Sequence, residues 1–185
     1  MCDMSVQSDL VKSFRWVDGH ADVWKWFADG DLFRRIVGEL AGPFGDVGVT
    51  KVVTLEARGF LLAGAVATEL GAGVVVVRKK GGASPGPRAE ALTSPDYRGR
   101  RLSLVLQSDL LTDVDRVLLV DDWIETGSQA LAARTLIEGT GAAFAGLAVI
   151  VRDGTPMEVQ ERLQRLQVLI DAEAFGPPDA LPSEP

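Results

Sequence analysis

Residues 117–130 read VLLVDDWIETGSQA. Val117 to Val120 form a short aliphatic run suited to a strand buried on both faces of a parallel sheet. Asp121 and Asp122 follow at once, where that strand is expected to end. Glu125-Thr126-Gly127-Ser128-Gln129 then make a tight turn of small and polar residues. An Ala/Leu-rich segment continues to about Glu138, with Ala130, Ala133 and Ile137 at helical spacing. A turn opening a helix leaves backbone N–H groups of residues 126–129 without intrahelical partners, which favours a phosphate there. Gly127 lets the backbone approach a ligand closely, and Thr126 and Ser128 add hydroxyl donors. Two acids beside a phosphate cradle would repel a bare phosphate. They make sense as acceptors for sugar hydroxyls, helped by a hydrated Mg²⁺. The ligand implied is a sugar phosphate with a vicinal diol.

This stretch resembles the 5-phosphoribosyl-1-pyrophosphate (PRPP) motif of the type I phosphoribosyltransferases: a hydrophobic strand, two acids, two apolar residues, a variable residue, then Thr-Gly and small residues. Trp123 departs from the smaller apolar residue usual there, and Gln129 from a common Thr. The resemblance extends from about Lys51 to Ile170. Lys51–Ala57 reads as a second short buried strand, running into Arg58-Gly59 and a helix from Phe60 to Leu70 ended by Gly71. Glu56-Ala57-Arg58-Gly59-Phe60 is similar to the pyrophosphate loop of the adenine-type members. That likeness implies that Ala57, Arg58 and Gly59 meet the pyrophosphate, with Arg58 supplying charge. The family often has a non-proline cis peptide in this loop, which sequence cannot reveal.

Val74–Val77 reads as a third strand ending in Arg78-Lys79-Lys80. Residues 81–87, GGASPGP, are too rich in Gly and Pro for regular structure. The stretch to Arg98 reads as a long mobile loop, and Arg101–Gln107 as a returning strand. Loops of that length in compact domains are often lids. The run RKKGGASPGP resembles the lid entry of adenine phosphoribosyltransferases, and Asp96-Tyr97 falls where they carry Glu-Tyr. The resemblance implies a lid at about 81–101, Lys80 on the pyrophosphate and a catalytic place for Asp96.

At the N-terminal side, Phe14 to Phe27 holds Trp16, Trp24 and Trp26 close together. This cluster reads as a core or dimer feature rather than a base-stacking platform. Asp22 and Asp31 are candidate caps for two helices, the second over Leu32–Leu40 with Gly42-Pro43 after it. The family's N-terminal arm is a hood over the base. Phe14-Arg15 with Asp18 matches the hood's Phe-Arg-Asp segment in part, which implies Phe14 at the base. His20, the single histidine, supports neither a Ser–His–Asp set nor a metal site. Beyond the motif, Leu147–Val151 reads as a strand and Met157–Leu166 as an amphipathic helix with Glu158–Arg162 and Glu161–Arg165 pairs. Val168–Ile170 reads as a last strand, and Gly176–Pro185 as a frayed tail.

Strands alternating with helices define an α/β class with an open, mainly parallel sheet. The expected organisation is an N-terminal hood over 1–45, a transferase core over 46–175 and a Pro-rich tail over 176–185. The 185 residues carry 46% hydrophobic and 24% charged side chains, ordinary for a globular enzyme. The single cysteine, Cys2, excludes an internal disulfide and fits a reducing cytoplasm. Neither a signal peptide nor a membrane span is expected. A net charge of −7 argues against nucleic acid as the main partner. Between Arg78 and Arg101, however, seven basic residues face only Glu90 and Asp96. Such a local basic patch suits a small polyanion.

Together these readings imply a Mg²⁺-dependent transferase joining a nitrogenous base, a purine first, to C1 of PRPP with release of pyrophosphate. Asp121 and Asp122 would hold the ribose hydroxyls, and Mg²⁺ would bind mainly through substrate with those two acids as its protein neighbours. Thr126, Gly127, Ser128 and Gln129 would hold the 5-phosphate. Glu125 stands where adenine-type members have a small uncharged residue and hypoxanthine–guanine types an Asp, so it is a candidate for contact with the base or its proton. The alternative for Glu125 is a helix-start acid complementing the dipole. The family also implies a homodimer. A regulator that binds PRPP without turnover, and an unrelated nucleotide-binding module, are the competing readings. The first need not keep Arg58 or a charged lid, and the second has no use for Asp121-Asp122.

Overall fold

The structure, a computed structural model, describes residues 5–81, 85–95 and 98–177. The N-terminal part contains α1 (Val6–Ser13), a two-stranded hairpin of β1 (Trp16–Val17) and β2 (His20–Ala21), and the helices α2 (Trp24–Ala28) and α3 (Gly30–Ala41). Asp29, not Asp31, caps α3: its carboxylate accepts from the N–H groups of Asp31 and Leu32, both at 3.0 Å. Asp22 does not cap α2, whose preceding residue is Val23 with no side-chain cap. It forms an ion pair with Lys25 instead.

The core alternates β3 (Lys51–Leu55), α4 (Gly59–Leu70), β4 (Gly73–Lys79), β5 (Arg88–Leu92), β6 (Ser103–Gln107), β7 (Arg116–Ile124), α5 (Ser128–Gly139), β8 (Ala143–Arg152), α6 (Met157–Arg162) and β9 (Leu166–Asp171). Seven strands form one sheet in the order β5-β6-β4-β3-β7-β8-β9. The five from β4 to β9 are mutually parallel, and β6 and β5 continue antiparallel at one edge. From β3 the chain first moves outward to β4, then returns to add β7 on the other side. The strand order therefore reverses between β3 and β7. In open α/β sheets the crevice above such a switch point is where ligands bind. Both loops with a ligand signature rise from these two strands.

Val52, Leu62, Leu118, Val120 and Ile150 pack with α3 and the N-terminal segment on one side of the sheet. Val53, Leu119, Ala133, Ile137 and Leu147 form the other core under α5. No helix among the described residues is long and apolar enough to cross a membrane.

Three elements differ from their sequence reading. Strand β7 does not stop at Val120: Asp121 pairs with Val149, Trp123 with Val151 and Ile124 with Arg152. The long β8 supplies ladder partners, so the acids lie within the strand. The arm expected to be a loop contains a strand, Arg88–Leu92, paired residue for residue with Leu92↔Ser103 through Arg88↔Gln107. Ala89 and Ala91 face the core under α5 while Arg88, Glu90 and Leu92 are exposed. Lastly, α6 ends at Arg162 because Gln164 takes a left-handed φ of 60° and turns the chain into β9. Arg165 therefore leaves the helix and Glu161, and lies over the Phe44 ring at 5.9 Å.

Candidate active site

The β3–α4 turn, residues 56–58, forms one wall of the crevice. Its Glu56–Ala57 peptide is cis. The Glu56 carboxylate accepts the Lys79 N–H at 2.8 Å, which ties the turn to neighbouring β4. Arg58 stands just before α4 and directs its Nε to within 2.9 Å of Asp122 Oδ2. Gly59 cannot carry a side chain. A Cβ there would lie 2.3 Å from Thr54 Oγ1 and 2.9 Å from Asp121 Oδ1. The β3–α4 turn and the acid pair therefore touch through a glycine.

The facing wall is the end of β7. The Asp122 side chain is only 7% exposed. Its Oδ2 has Arg58 as an ion-pair neighbour, yet the approach is off the donor axis and the oxygen receives no hydrogen bond among the described residues. A buried carboxylate oxygen without a donor is costly unless a ligand supplies one. Asp121 Oδ1 accepts the Asp122 N–H at 3.0 Å. Asp121 as a residue retains some exposed surface, but its carboxyl end is packed against Gly59. Burial, then the neighbouring charge of Asp122, pushes its pKa well above the ordinary carboxylate value, against the pull of Arg58.

Above the acids the chain turns at Gly127, whose φ of 69° is left-handed and suits glycine. The Gly127 carbonyl accepts the Leu131 N–H at 2.9 Å and so starts α5. The first-turn N–H groups of α5 then face the crevice without helical acceptors. Ser128 N–H reaches Thr126 Oγ1 at 3.4 Å, and the Ser128 hydroxyl reaches the Ser94 carbonyl at 3.4 Å. The phosphate turn thus touches the arm. Glu125, Thr126 and Gln129 are exposed.

The structure brings together Ala57, Arg58, Gly59, Asp121 and Asp122, with Glu125 to Gln129 following on the same strand end. Lys80 lies on the arm: its Nζ pairs with Glu90 at 3.0 Å, and Ser103 donates to the same carboxylate oxygen. Asp96 lies outside the described residues. Phe14 is placed differently from its sequence reading. It is 4% exposed and stacked on Phe175 at 4.0 Å, a core position with no face left for a base. Trp123 was not among the expected site residues. It is half-buried beside Asp122, and its indole N–H donates to Asp153 at 3.3 Å. The signal for it was its size, out of place in the motif.

Two carboxylates, an arginine and a glycine turn at a helix start can hold a sugar diol between two phosphate groups. Among the described residues no three His, Cys, Asp or Glu side chains cluster as a metal cage. The acid pair with one orphan oxygen suits an ion brought in on substrate phosphates, the usual manner for Mg²⁺.

The phosphoribosyl transferase domain family matches residues 31–174. The chain belongs to that family, and its sheet and flanking helices are the type I phosphoribosyltransferase fold. Its similarities lie with the adenine-type branch. An adenine phosphoribosyltransferase of Dinoroseobacter shibae is 42% identical over 130 residues, 70% of this chain and 71% of the relative. One from Frankia casuarinae is 39% identical over 130 residues, covering 70% and 68%. Among solved structures, the Giardia lamblia enzyme complexed with 9-deazaadenine superposes with a TM-score of 0.80 at 30% identity, over 91% of this chain and 98% of that one.

Proposed function

We propose that this chain transfers the 5-phosphoribosyl group of PRPP to a purine, adenine first, releasing pyrophosphate. The observation that carries this reading is the crevice at the switch point. There Arg58, the buried acid pair and the α5 turn stand in the order of pyrophosphate, ribose diol and 5-phosphate. The adenine-type relatives support the choice of base.

In the reaction the C1–oxygen bond to pyrophosphate breaks and a bond from C1 to a ring nitrogen forms. Positive charge builds on the ribose as the leaving group departs. The chain therefore has to stabilise pyrophosphate and hold the partners in line. Arg58 meets the pyrophosphate, with Ala57 and Gly59 shaping the backbone around it and Lys80 adding charge from the arm. Asp121 and Asp122 accept hydrogen bonds from the ribose hydroxyls, and Asp122 Oδ2 gains the donor that it lacks. Thr126 to Gln129 receive the 5-phosphate on backbone N–H groups and hydroxyls. Asp121 and Asp122 would be the carboxylates that hold a Mg²⁺ brought in with PRPP, and that ion would supply neutralisation of the pyrophosphate charge. The entering nitrogen loses a proton, and we assign Glu125 as the group that takes it. We assign the arm from Lys80 to Arg101 the part of a lid that excludes water from PRPP, and Asp96, outside the described residues, is kept as a catalytic candidate on that arm.

We read the protein as a cytoplasmic homodimer, in keeping with the single cysteine and with Leu61 and Val74, exposed on neighbouring α4 and β4. The deciding experiment is pyrophosphate release from PRPP and Mg²⁺ with adenine, hypoxanthine, guanine, xanthine and uracil in parallel. Release with adenine supports the reading. Tight PRPP binding with no release for any base would replace it with a PRPP-binding regulator.

A further inference from the structure

The hairpin residue Trp16 and Phe175, beyond β9, meet on Trp123. Phe175 ends the 3-10 turn Ala172–Phe175 that follows β9. Its ring stacks on Phe14 at 4.0 Å and 24°, and on Trp123 at 6.2 Å and 27°. Trp26 leans on it at 5.8 Å. Trp16 stands edge-on to Phe14 at 5.0 Å and to Trp123 at 6.3 Å. Hydrogen bonds lock the rings in place: Trp16 Nε1 donates to the Gly176 carbonyl at 3.2 Å, Trp26 Nε1 to Leu10 at 3.3 Å and Trp123 Nε1 to Asp153. Phe14 and Phe175 each touch three of the four other rings, and of the two only Phe175 reaches Trp123. The proposed mechanism uses none of these contacts.

The side of the crevice matters. Pyrophosphate leaves toward Arg58, on the β3 side of the switch point. An in-line displacement at C1 brings the nucleophile from the opposite side, which lies over the end of β7 toward β8. Trp123 is the large side chain there, directly after Asp122 and two residues before Glu125. Fixing its ring fixes one wall for the incoming base.

We propose that Phe175 is a positioning residue for the base: it does not touch substrate, but by stacking on Trp123 it sets the height and angle of the wall against which the base rests. This rests on the functional reading above. The C-terminal turn is thereby part of the specificity apparatus, and the aromatic cluster couples the N-terminal hairpin to it.

The test is Phe175→Leu, which keeps an apolar side chain and removes the ring. Losing an aromatic stack of this kind translates to a rise in the adenine KM of up to about tenfold. The KM for PRPP should be unchanged, and Phe175→Tyr should restore the adenine KM. In a Trp123→Leu background Phe175→Leu should add little, since the effect passes through Trp123. A PRPP KM rising in step with the adenine KM, or full additivity of the two substitutions, would overturn the proposal. If Phe175→Leu does not fold, Trp16→Phe removes the bond to Gly176 and trims the edge contacts to Phe14 and Trp123, and should shift the adenine KM in the same direction; no shift overturns the proposal. If wild-type protein turns over no base, the functional reading falls. The cluster is then judged on the Trp123 part of the emission, taken as the difference between wild type and Trp123→Leu; it should change in Phe175→Leu, and if unchanged it shows that Phe175 does not hold the indole.

Discussion

Asp121→Asn should make the free protein more stable and the substrate complex weaker. Burial and the adjacent Asp122 raise the Asp121 pKa in the fold. The folded state then keeps a proton at pH values where the unfolded chain has released it. The resulting stability is fully present below the ordinary carboxylate value of 3.8 and is lost as pH rises through the raised value. Above that raised value the wild type has passed through the loss, whereas an amide of the same shape never ionises. Asn should therefore raise stability at pH values above the raised one and flatten the pH dependence above 3.8. Asp115 acts in the opposite sense: burial raises its pKa, but hydrogen bonds from Thr50 and Thr112 outweigh this and lower it. It is present in both proteins and cancels in the difference. For the complex, a hydrogen bond to a charged acceptor is worth about 1.5–3 kcal/mol, so PRPP affinity should fall about 10- to 150-fold. Urea unfolding of both proteins at stepped pH gives the first quantity, and calorimetry with PRPP and Mg²⁺ the second. A variant less stable than wild type at pH values above the raised one, with unchanged PRPP affinity, would refute the reasoning on both counts.

Gly59→Ala would ordinarily favour a helix by about 1 kcal/mol, yet its Cβ would fall 2.3 Å from Thr54 Oγ1. Thermal melts should show net destabilisation, and a second change, Thr54→Gly, should relieve it. Gly127→Ala places a Cβ 2.4 Å from Val159 Cγ1 at a left-handed φ, so unfolding titrations should show a loss of about 1–3 kcal/mol. Trypsin should cut after Arg98, Arg100 or Arg101 before Arg88, because Arg88 is paired in β5; PRPP with Mg²⁺ should slow those cuts, and equal rates would mean that the arm is no lid. Glu125→Gln should lower kcat by about 10²–10⁴-fold with PRPP affinity kept. An unchanged kcat with adenine would leave Glu125 as a residue that only complements the helix dipole.

The parts of the site legible in sequence were those with local rules. A strand, two acids and a glycine turn lie within fourteen residues, and each element limits what its neighbour can be. Arg58-Gly59 was legible in the same way, at a second strand end. What escaped depends on distant partners. Acids are poor strand formers, so β7 looked finished at Val120; β8, some thirty residues later, keeps Asp121 to Ile124 in the ladder. RAEAL at 88–92 has weak strand propensity, and only its pairing with β6 and the burial of two alanines beneath α5 make it a strand. Phe14 looked like a base contact because the hood motif was matched in part. Its true neighbour, Phe175, is more than 150 residues away, and no periodicity links the two.

The two acids stand side by side but in different electrostatic settings. Asp122 is buried with a cation at 2.9 Å, whereas Asp121 is buried against Gly59 and the charge of Asp122. Without substrate, Arg58 balances one of the two negative charges. PRPP introduces a pyrophosphate that competes for Arg58, and it introduces ribose hydroxyls at the same time. On the proposed function Arg58 would turn toward the phosphates, and the hydroxyls would supply donors to the carboxylates that it leaves. The exchange needs both ends of one ligand within reach of one another, and Gly59 secures this by letting the pyrophosphate turn rest on Asp121. A site so arranged favours a ligand that carries its anionic group on the carbon next to its diol, as C1 beside the C2 and C3 hydroxyls of PRPP does. A phosphate alone would displace Arg58 and leave the acids bare.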